Sequence, residues 1–328
     1  MTNWLGLKEK EQVELFNQLG TKTGLPPFAI EKDAWVTLVL KMLFHSEIAN
    51  HIVFKGGTSL SKAYGIIERF SEDIDFAIDR KFLGFKKNLT KGEIRKLRRK
   101  SHEFSSNELP QILLKELTEY GIKKDLFTIT VPNTKISDQD PEIIQVNYKS
   151  IFEKEYYLKS RVLIEIGARS LMEPFENRAI QSIIDINYPD KIFTEKMFYA
   201  QTVIPEKTFL EKMILLHEEF QKPKAKIRSH RMSRHLYDIY KIANTEYRDK
   251  AFLNNEMFEN IIQHREKFTP IKTVNYQELS LKNLNFIPPD DFIDSYRKDY
   301  KEMQTNMIYG ESLNFESLIE EIKILTKF

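Results

Sequence analysis

The sequence contains no cysteine among its 328 residues, and this absence excludes several kinds of chemistry. A chain without thiols forms no disulfide, offers no thiolate ligand to zinc and has no cysteine nucleophile. The seven histidines show none of the paired spacings that are typical of metal ligands. We therefore expect any bound metal to be held by oxygen ligands.

Long hydrophobic runs are also missing, although 41% of the residues are hydrophobic. No run approaches the roughly 18 apolar residues that a membrane-spanning helix needs. The N-terminal residues lack the basic and then apolar layout of a secretory signal, so we expect the protein to remain in the cytoplasm. With 30% charged residues, the composition is typical of a globular chain that is long enough for two domains.

The formal net charge is only +2, but the positive charge is concentrated in two segments. Residues 80–100 contain ten lysines or arginines and a single acid, Glu93, whereas residues 221–235 contain six lysines or arginines and no acid. Clustered cations of this kind occur on RNA-binding surfaces and also on ordinary solvated helices. The interleaved aromatic residues Phe82 and Phe85 favour a nucleic-acid partner. The solvated helix remains the alternative.

A glycine pair, Gly56 and Gly57, follows the apolar run His51–Phe54 and opens a helical pattern from Ser59. A turn at this place leaves backbone N–H groups free, and such groups are a ready-made binding site for phosphate. Thr58 lies between the glycines and the helical pattern. We therefore predict that Gly56, Gly57, Thr58 and Ser59 bind the phosphates of a nucleotide.

Two aspartates alternate with apolar residues in the segment Asp73–Ile78. This period of two predicts a strand on which Asp73 and Asp75 share one face, while the apolar residues face a core. A carboxylate pair can hold Mg²⁺ or Mn²⁺, and nucleotidyl transfer needs such a cation to neutralise the leaving pyrophosphate and to activate a hydroxyl. An isolated Asp-x-Asp is more often a turn cap, so this prediction depends on its combination with the glycine pair.

Gly56-Gly57-Thr58-Ser59, spaced ahead of Ser71-x-Asp73-x-Asp75, resembles the signature of the DNA polymerase beta-like nucleotidyltransferase superfamily. More narrowly, the sequence resembles the AbiEii/AbiGii toxin family of bacterial toxin–antitoxin and phage-abortive systems. Further segments that resemble this family are Glu31–Val36, Glu211-Lys212, Arg234–Tyr240 and Asp299–Met303. The resemblance therefore spans most of the chain.

The resemblance implies an α+β fold with two domains. Residues 1–194 would form a nucleotidyltransferase-type mixed β-sheet domain with flanking helices, and residues 195–328 would form an all-helical domain that closes the active-site cleft. The hydrophobic pattern turns helical from about residue 194 and agrees with this boundary. The predicted strands are 126–131, 143–149, 161–168 and 179–187, and the predicted helices are 8–20, 27–45, 92–120, 205–220, 232–246, 251–266, 289–306 and 314–327.

A third metal carboxylate is implied by the resemblance, on a strand that follows the two aspartates. Glu165 is the candidate, because it lies opposite the apolar face of its strand, where a carboxylate needs either a cation or an ion-pair partner. An ion pair between Arg161 and Glu165 is the alternative. Asp185, in the predicted strand 179–187, is a second candidate for the metal.

Residues of the C-terminal half also gain roles from the resemblance. Lys212 matches the family's lysine that meets the triphosphate. Asp238 matches an essential aspartate, which would orient Lys212 or act near the acceptor hydroxyl. His235 stands where the family usually has an aspartate, so no role follows for it. By spacing alone, Asp238 and Arg234 would form an ordinary surface ion pair.

Two matching segments receive no chemical role. Glu31, Lys32 and Asp33 are expected to form a solvated first turn of a helix. Tyr296 and Tyr300, within the C-terminal segment, are interpreted as core residues.

The predicted function is Mg²⁺- or Mn²⁺-dependent transfer of a nucleoside monophosphate from an NTP to a hydroxyl. The resemblance implies an RNA acceptor, with the tRNA 3′ end as first candidate, and a cognate antitoxin protein as a partner. The alternatives are a protein or small-molecule hydroxyl, or a catalytically silent member that binds RNA or a partner protein. The predicted catalytic residues are Asp73, Asp75, Lys212 and Asp238, with Arg69 and Ser71 in contact with the nucleotide.

Overall fold

The computed structural model describes residues 3–71, 73–86, 88–132, 140–152 and 159–325. The chain divides into two compact units, each of which combines separate stretches of sequence. The sheet unit comprises Met1–Ala63 and Ser71–Thr202, and the helical unit comprises Tyr64–Phe70 and Val203–Phe328.

A mixed β-sheet forms the centre of the sheet unit. Its strands are β1 Ile52–Lys55, β2 Asp73–Ile78, β3 Phe127–Thr130, β4 Glu142–Tyr148, β5 Arg161–Gly167, β6 Phe175–Ile180 and β7 Phe198–Val203. They lie in the order β3-β4-β5-β2-β1-β7-β6, with β2 parallel to β5 and β1 antiparallel to β2. The predicted mixed sheet is confirmed, and so are the predicted strands 126–131, 143–149 and 161–168.

Helices flank this sheet. They are α1 Glu9–Thr23, α2 Pro27–His45, α3 Gly56–Lys62, α4 Lys91–Glu103, α5 Leu109–Glu119 and α6 Ile183–Asn187. A π-helical segment, Phe104–Glu108, joins α4 to α5, so the long helix predicted over 92–120 is confirmed with one local irregularity. Pro27 is the first residue of α2, where its missing N–H costs nothing. Trp35 of α2 stacks on Tyr148 at 4.9 Å between ring centroids and ties the helix to the sheet.

The strand predicted over residues 179–187 is wrong. This stretch contains only the end of β6 and then the short helix α6. Ser182 starts the helix with a capping box, in which its Oγ accepts the N–H of Asp185 and the Asp185 carboxylate accepts the Ser182 N–H. The carboxylate also accepts the N–H of Glu195 at 2.8 Å. Asp185 therefore caps backbone groups and does not stand on a strand.

Strand β7 lies beyond the predicted domain boundary at residue 194. It joins the sheet parallel to β1, with Phe54 opposite Thr202, and the sheet unit extends to Thr202. The hydrophobic pattern becomes helical only from Pro205. The helical unit also includes Tyr64–Phe70, a segment from the N-terminal half that a single division at residue 194 leaves out.

The helical unit is built from helices that the sequence largely predicts. They are α7 Pro205–Phe220, α8 Ser233–Ala243, α9 Tyr247–Leu253, α10 Asn255–Phe268, α11 Ile293–Asn306 and α12 Phe315–Ile324. Residues 326 and 327 of the last predicted helix lie outside the described residues. Over the described ranges, no helix combines the length and the apolar character that crossing a membrane requires.

The expected solvated turn at the start of α2 is wrong. Glu31 and Lys32 are buried, and Asp33 forms an ion pair with Lys62 at the end of α3. Glu31 accepts a hydrogen bond from the hydroxyl of Ser150, and burial raises the pKa of its carboxyl. These charged side chains are buried because tertiary partners satisfy them, and they fasten α2 to its neighbours.

Candidate active site

The register of the sheet sets three acids side by side. β2 and β5 pair in parallel, with Asp75 opposite Glu165 and Asp73 opposite Leu163. Residues in register on neighbouring strands share a face, as do residues two apart on one strand. Asp73, Asp75 and Glu165 therefore share one face, while Ile74 between the aspartates is fully buried on the other. Arg161, the alternative partner of Glu165, donates to Gln145 at 3.1 Å.

Gly56 brings the glycine segment against one of these acids. β1 runs antiparallel to β2 with Lys55 opposite Asp75, and Gly56 follows with a φ of +83°. A Cβ atom at Gly56 would lie 2.1 Å from Oδ2 of Asp75. Since glycine has no Cβ and tolerates this φ, the carboxylate of Asp75 can lie directly against the first residue of α3.

The hydroxyls of the glycine segment hold α3 in place. Thr58 Oγ1 donates to the backbone carbonyl of Asp73, and Ser59 Oγ donates to the carbonyl of Gly56 at 2.9 Å. Both residues are buried. A phosphate bound by this segment would therefore meet the backbone N–H groups of the first turn of α3. The contact of these residues and of Ser71 with a nucleotide stays a prediction.

Replacing Gly56 by alanine is expected to lower nucleotidyl-transfer activity at least about tenfold, because the new Cβ must displace the Asp75 carboxylate. The strained backbone should also cost about 1–3 kcal/mol of unfolding free energy. Urea unfolding and a labelled-NTP transfer assay measure the two effects. Gly92→Ala in α4 is the matched control, because a Cβ there meets open space. Equal activity of Gly56→Ala and wild type would contradict the close approach of the Asp75 carboxylate to Gly56.

Asp238, on α8, is the centre of a buried charge cluster in the helical unit. Its side chain is 0% exposed. Arg69 donates to both carboxylate oxygens, from Nε to Oδ1 and from Nη2 to Oδ2, each at 2.7 Å. Nζ of Lys212, on α7, lies 2.8 Å from Oδ2. A bidentate arginine together with a lysine is a strong, charge-assisted arrangement around one carboxylate.

The charges of this cluster shift its pKa values. Burial alone would raise the pKa of Asp238, but Arg69 and Lys212 hold that pKa well below its usual range. Burial lowers the pKa of Lys212, and Asp238 opposes this effect. His235 lies near the same cations, and burial together with Lys212 and Arg234 lowers its pKa well below the ordinary value. We therefore expect a neutral imidazole at pH 7.

The cluster bears on the expectations for Asp238, Lys212 and Arg69. The prediction of a surface ion pair between Asp238 and Arg234 is wrong, because Asp238 is buried. Lys212, which the resemblance places at the triphosphate, is only 8% exposed. Of the two roles left open for Asp238, its direct contact with Lys212 supports orientation of that lysine. Arg69, predicted to touch the nucleotide, gives two guanidinium nitrogens to Asp238.

Asp299 holds the start of α8, a contact that is not among the predictions from the sequence. Its carboxylate accepts hydrogen bonds from the N–H and hydroxyl of Ser233, the first residue of α8, and from the N–H of Arg231. Arg231 has a φ of 58°, which places the turn before the helix in the left-handed region. The segment Asp299–Met303 resembles the family, but its aromatic residues by themselves indicate only a core helix.

The carboxylate pair fits a divalent cation of the magnesium type. Mg²⁺ usually takes one or two protein carboxylates and completes its shell with water and substrate phosphates. Asp73 and Asp75 supply that number from one strand face. Over the part of the chain that is described, no three or more His, Cys, Asp or Glu residues are gathered so that they could hold a metal ion. Glu165 shares the face of the two aspartates but does not gather with them into a three-ligand site in this structure, so its role as a third ligand stays a prediction.

The model of one protein family, "Nucleotidyl transferase AbiEii toxin, Type IV TA system", matches residues 38–321. The chain belongs to this family. The match includes the glycine segment, both aspartates of β2, Lys212 and Asp238. As a member of this family the chain is a nucleotidyltransferase, and membership of a type IV toxin–antitoxin family implies an NTP substrate and an antitoxin partner.

Solved structures resemble this chain at low sequence identity. MenT4, a nucleotidyltransferase toxin from Mycobacterium tuberculosis H37Rv, is 16% identical with a TM-score of 0.51, and the alignment covers 98% of this chain and 91% of MenT4. JHP933 from Helicobacter pylori is 16% identical with a TM-score of 0.47, over 92% of each chain. The similarity to MenT4 supports the fold. No match is found among curated protein sequences.

Proposed function

We propose that this AbiEii-family enzyme transfers a nucleoside monophosphate from an NTP to a hydroxyl of RNA, with the tRNA 3′ end as the first candidate acceptor. The reaction depends on Mg²⁺ or Mn²⁺ and takes place in the cytoplasm. The observation that carries this proposal is the position of the Asp75 carboxylate against Gly56, at the start of α3. A cation held by Asp75 would therefore lie next to phosphates bound at the start of α3, and this supports the proposal.

In this proposal Asp73 and Asp75 hold the divalent cation, with Glu165 beside them. When bound, the cation would neutralise phosphate charge and promote loss of the proton from the acceptor hydroxyl. The first turn of α3 binds the β- and γ-phosphates through backbone N–H groups. Catalysis then comes mainly from positioning and electrostatic stabilisation, as is general for transfers to and from phosphorus.

Lys212 supplies positive charge to the leaving pyrophosphate. A buried lysine loses rotational freedom and keeps its ammonium at one place, which favours preorganised stabilisation of developing charge. Asp238 holds Nζ of Lys212, and Arg69 holds Asp238. In this arrangement Arg69 is a positioning residue for the lysine rather than a direct ligand of the nucleotide.

The positive surface that best suits RNA is one face of α4. Lys91, Arg95, Lys96 and Arg99 are exposed there, whereas Ile94 and Leu97 are buried on the opposite face. Lysines and arginines spaced by four residues follow a single side of a helix, which suits contact with a run of phosphates.

The second basic segment, residues 221–235, is less suited to RNA because acids of the helical unit engage several of its cations. Glu219 pairs with Lys222 and Arg228, and Asp291 pairs with Lys224. These contacts reduce the charge that the segment can offer to phosphates.

Neutralising α4 is expected to weaken RNA binding. The variant Lys91→Gln/Arg95→Gln/Arg99→Gln should reduce the salt dependence of log K by about 0.7 per lost contact for single-stranded RNA, or about 2 in total. Filter binding over a series of KCl concentrations measures the slope. A control with equal charge change is Lys282→Gln/Lys298→Gln/Lys301→Gln, on exposed positions of the helical unit. Equal slopes for the two variants would argue against α4 as the RNA surface.

Labelling distinguishes the proposed function from its alternatives. The protein is incubated with Mg²⁺ and each α-labelled NTP, together with total RNA, a protein extract or a small-molecule pool. Label in RNA that falls as salt rises supports an RNA acceptor. Label in protein or in small molecules, or a reaction that does not depend on salt, would indicate a protein or small-molecule hydroxyl as the acceptor. A shift of RNA on a gel without any labelling indicates a catalytically silent binder.

A further inference from the structure

A cavity of about 780 Å³ lies entirely within the helical unit. This volume falls within the range of about 300–1,000 Å³ that is typical of small-molecule sites. Three stretches of chain line it: residues 64–66, residues 240–247 around the end of α8, and residues 311–313. None of these residues belongs to the predicted metal or phosphate sites.

The cavity continues a seam along which Tyr64–Phe70 lies against α8. Arg69 binds Asp238 at one end of the seam. The neighbouring residue, Glu68, pairs with Lys241 at 2.8 Å. Lys241 follows Asp238 by three residues, which is about 4.5 Å along a helix axis. Because Lys241 also lines the cavity, the cavity begins about one helical turn from the Asp238 cluster.

Aromatic rings and small polar groups line the cavity together. Tyr64, Tyr240 and Tyr247 contribute rings, and the rings of Tyr64 and Tyr247 meet edge to face at 6.0 Å between centroids. Asn244 and Ser312 add an amide and a hydroxyl. Nδ2 of Asn244 donates to the carbonyl of Tyr240 at 2.8 Å and Oγ of Ser312 accepts from Nε2 of Gln304 at 3.0 Å, so the amide oxygen of Asn244 is the group that can accept from the edge of a base. Ring faces for stacking and polar groups for the edges are the features that recognise an unpaired nucleobase.

The charge of the lining disfavours a phosphate in the same place. Lys241 is engaged by Glu68, and Glu246 pairs with Lys250 at 2.7 Å. Glu311 adds a further acid to the lining. An anion inside the cavity would meet these carboxylates, whereas the uncharged base and ribose of a nucleotide would not.

We propose that this cavity binds an unpaired nucleobase with its ribose, next to the Asp238 cluster. The proposal rests on the function proposed above, since a nucleotidyltransferase handles nucleotides as substrate and as acceptor. The base belongs either to the NTP or to the RNA strand, and the two sources share the same chemistry. The cavity would then contribute to base preference at a place that neither the metal site nor the phosphate site occupies.

Direct binding of nucleosides tests the cavity without any catalysis. The full-length protein is titrated with adenosine, guanosine, cytidine and uridine in the absence of metal, and saturation-transfer NMR gives the dissociation constants. At least one nucleoside should bind, and Tyr247→Leu should weaken that binding about 5- to 150-fold, the range expected for loss of one base stack. Tyr199→Leu, at an exposed tyrosine of β7, is the matched control and should bind as wild type does.

Asn244→Ala keeps the test decisive if Tyr247→Leu does not fold. Asn244 is exposed, so its loss should leave the fold intact while it removes one partner of the base edge. No nucleoside binding by wild type, or equal binding by wild type and both cavity variants, would overturn the proposal. Weakened binding in either folded cavity variant, with Tyr199→Leu unchanged, supports it.

Transfer kinetics identify the source of the base and separate this proposal from the proposed function. A raised KM for the NTP alone in the cavity variants assigns the cavity to the incoming nucleotide, and a raised KM for RNA alone assigns it to the acceptor. Nucleoside binding by a wild-type protein that transfers nothing would support the cavity and remove the enzymatic proposal. Transfer by a protein that binds no nucleoside would support the enzymatic proposal and remove the cavity proposal.

Discussion

Replacing Asp73 by asparagine is expected to abolish nucleotidyl transfer while the protein remains folded. Asparagine has nearly the same shape but no charge, so it is a poor ligand for a divalent cation. The bond that Thr58 makes in this region goes to the backbone carbonyl of residue 73, which the substitution leaves in place. A cation that contributes several kcal/mol to transition-state stabilisation corresponds to a rate loss of about a thousandfold or more.

The control for this variant is Asp79→Asn, just beyond the end of β2. Asp79 accepts a hydrogen bond from the N–H of Lys81 at 2.9 Å and takes no part in the proposed site. Its variant should retain transfer activity. Rates with α-labelled NTP and thermal unfolding curves of all three proteins make the comparison. Activity of Asp73→Asn close to the wild-type rate would remove Asp73 from the metal site.

The sequence alone predicts the local parts of the sheet site but not their assembly. Alternation with period two gives the common face of Asp73 and Asp75, because it depends only on neighbouring residues. The register that sets Asp75 beside Glu165 joins residues 90 positions apart, and no local pattern encodes it. The close approach of Gly56 to Asp75 also depends on the pairing of β1 with β2.

The predictions that fail do so where tertiary contacts or a short cap override the local pattern. The apolar residues around Asp185 suggest a strand, but Ser182 and Asp185 have the spacing of a capping box, and this signal decides for the helix α6. Asp33 suggests a solvated turn because charged residues are usually exposed. Its partner Lys62 lies 29 residues away.

The Asp238 cluster depends on long-range contacts even more than the sheet site does, so less of it can be predicted from the sequence. Lys212 and Asp238 could be matched to a family from their sequence segments, but the bidentate bond between Arg69 and Asp238 spans 169 residues. The assignment of Tyr64–Phe70 to the helical unit follows from contacts of this kind. A chain segment that leaves one unit for seven residues and then returns has no compositional signature.

The Asp238→Asn variant should lose both activity and stability. The substitution leaves Arg69 and Lys212 buried without the carboxylate that compensates them, and breaking a buried ion pair in this way costs about 3–5 kcal/mol. Transfer should fall together with stability, because Lys212 loses the group that holds it. Urea unfolding at pH 7 and labelled-NTP assays below the unfolding transition measure the two losses separately.

Acid should narrow the stability difference between wild type and Asp238→Asn. The folded-state pKa of Asp238 is lowered, so its contribution to stability is fully present above the unfolded pKa of about 3.9. The contribution is lost as the pH falls from that value through the lowered folded-state pKa. The difference in unfolding free energy should therefore be constant near neutral pH and shrink below about pH 4. A difference that does not change with pH would mean that the charge of Asp238 does not cause it.

A second substitution distinguishes uncompensated charge from lost packing. If the cost of Asp238→Asn arises from the stranded cations, adding Arg69→Met should recover part of the stability, because a buried ion pair can often be replaced by apolar groups of similar volume. Activity should not recover, since neither substitution restores the contact of Asp238 with Lys212. If the double variant is instead less stable than Asp238→Asn, Arg69 stabilises the helical unit by packing and by its other contacts. Its pairing with Asp238 would then be incidental to the stability of that unit.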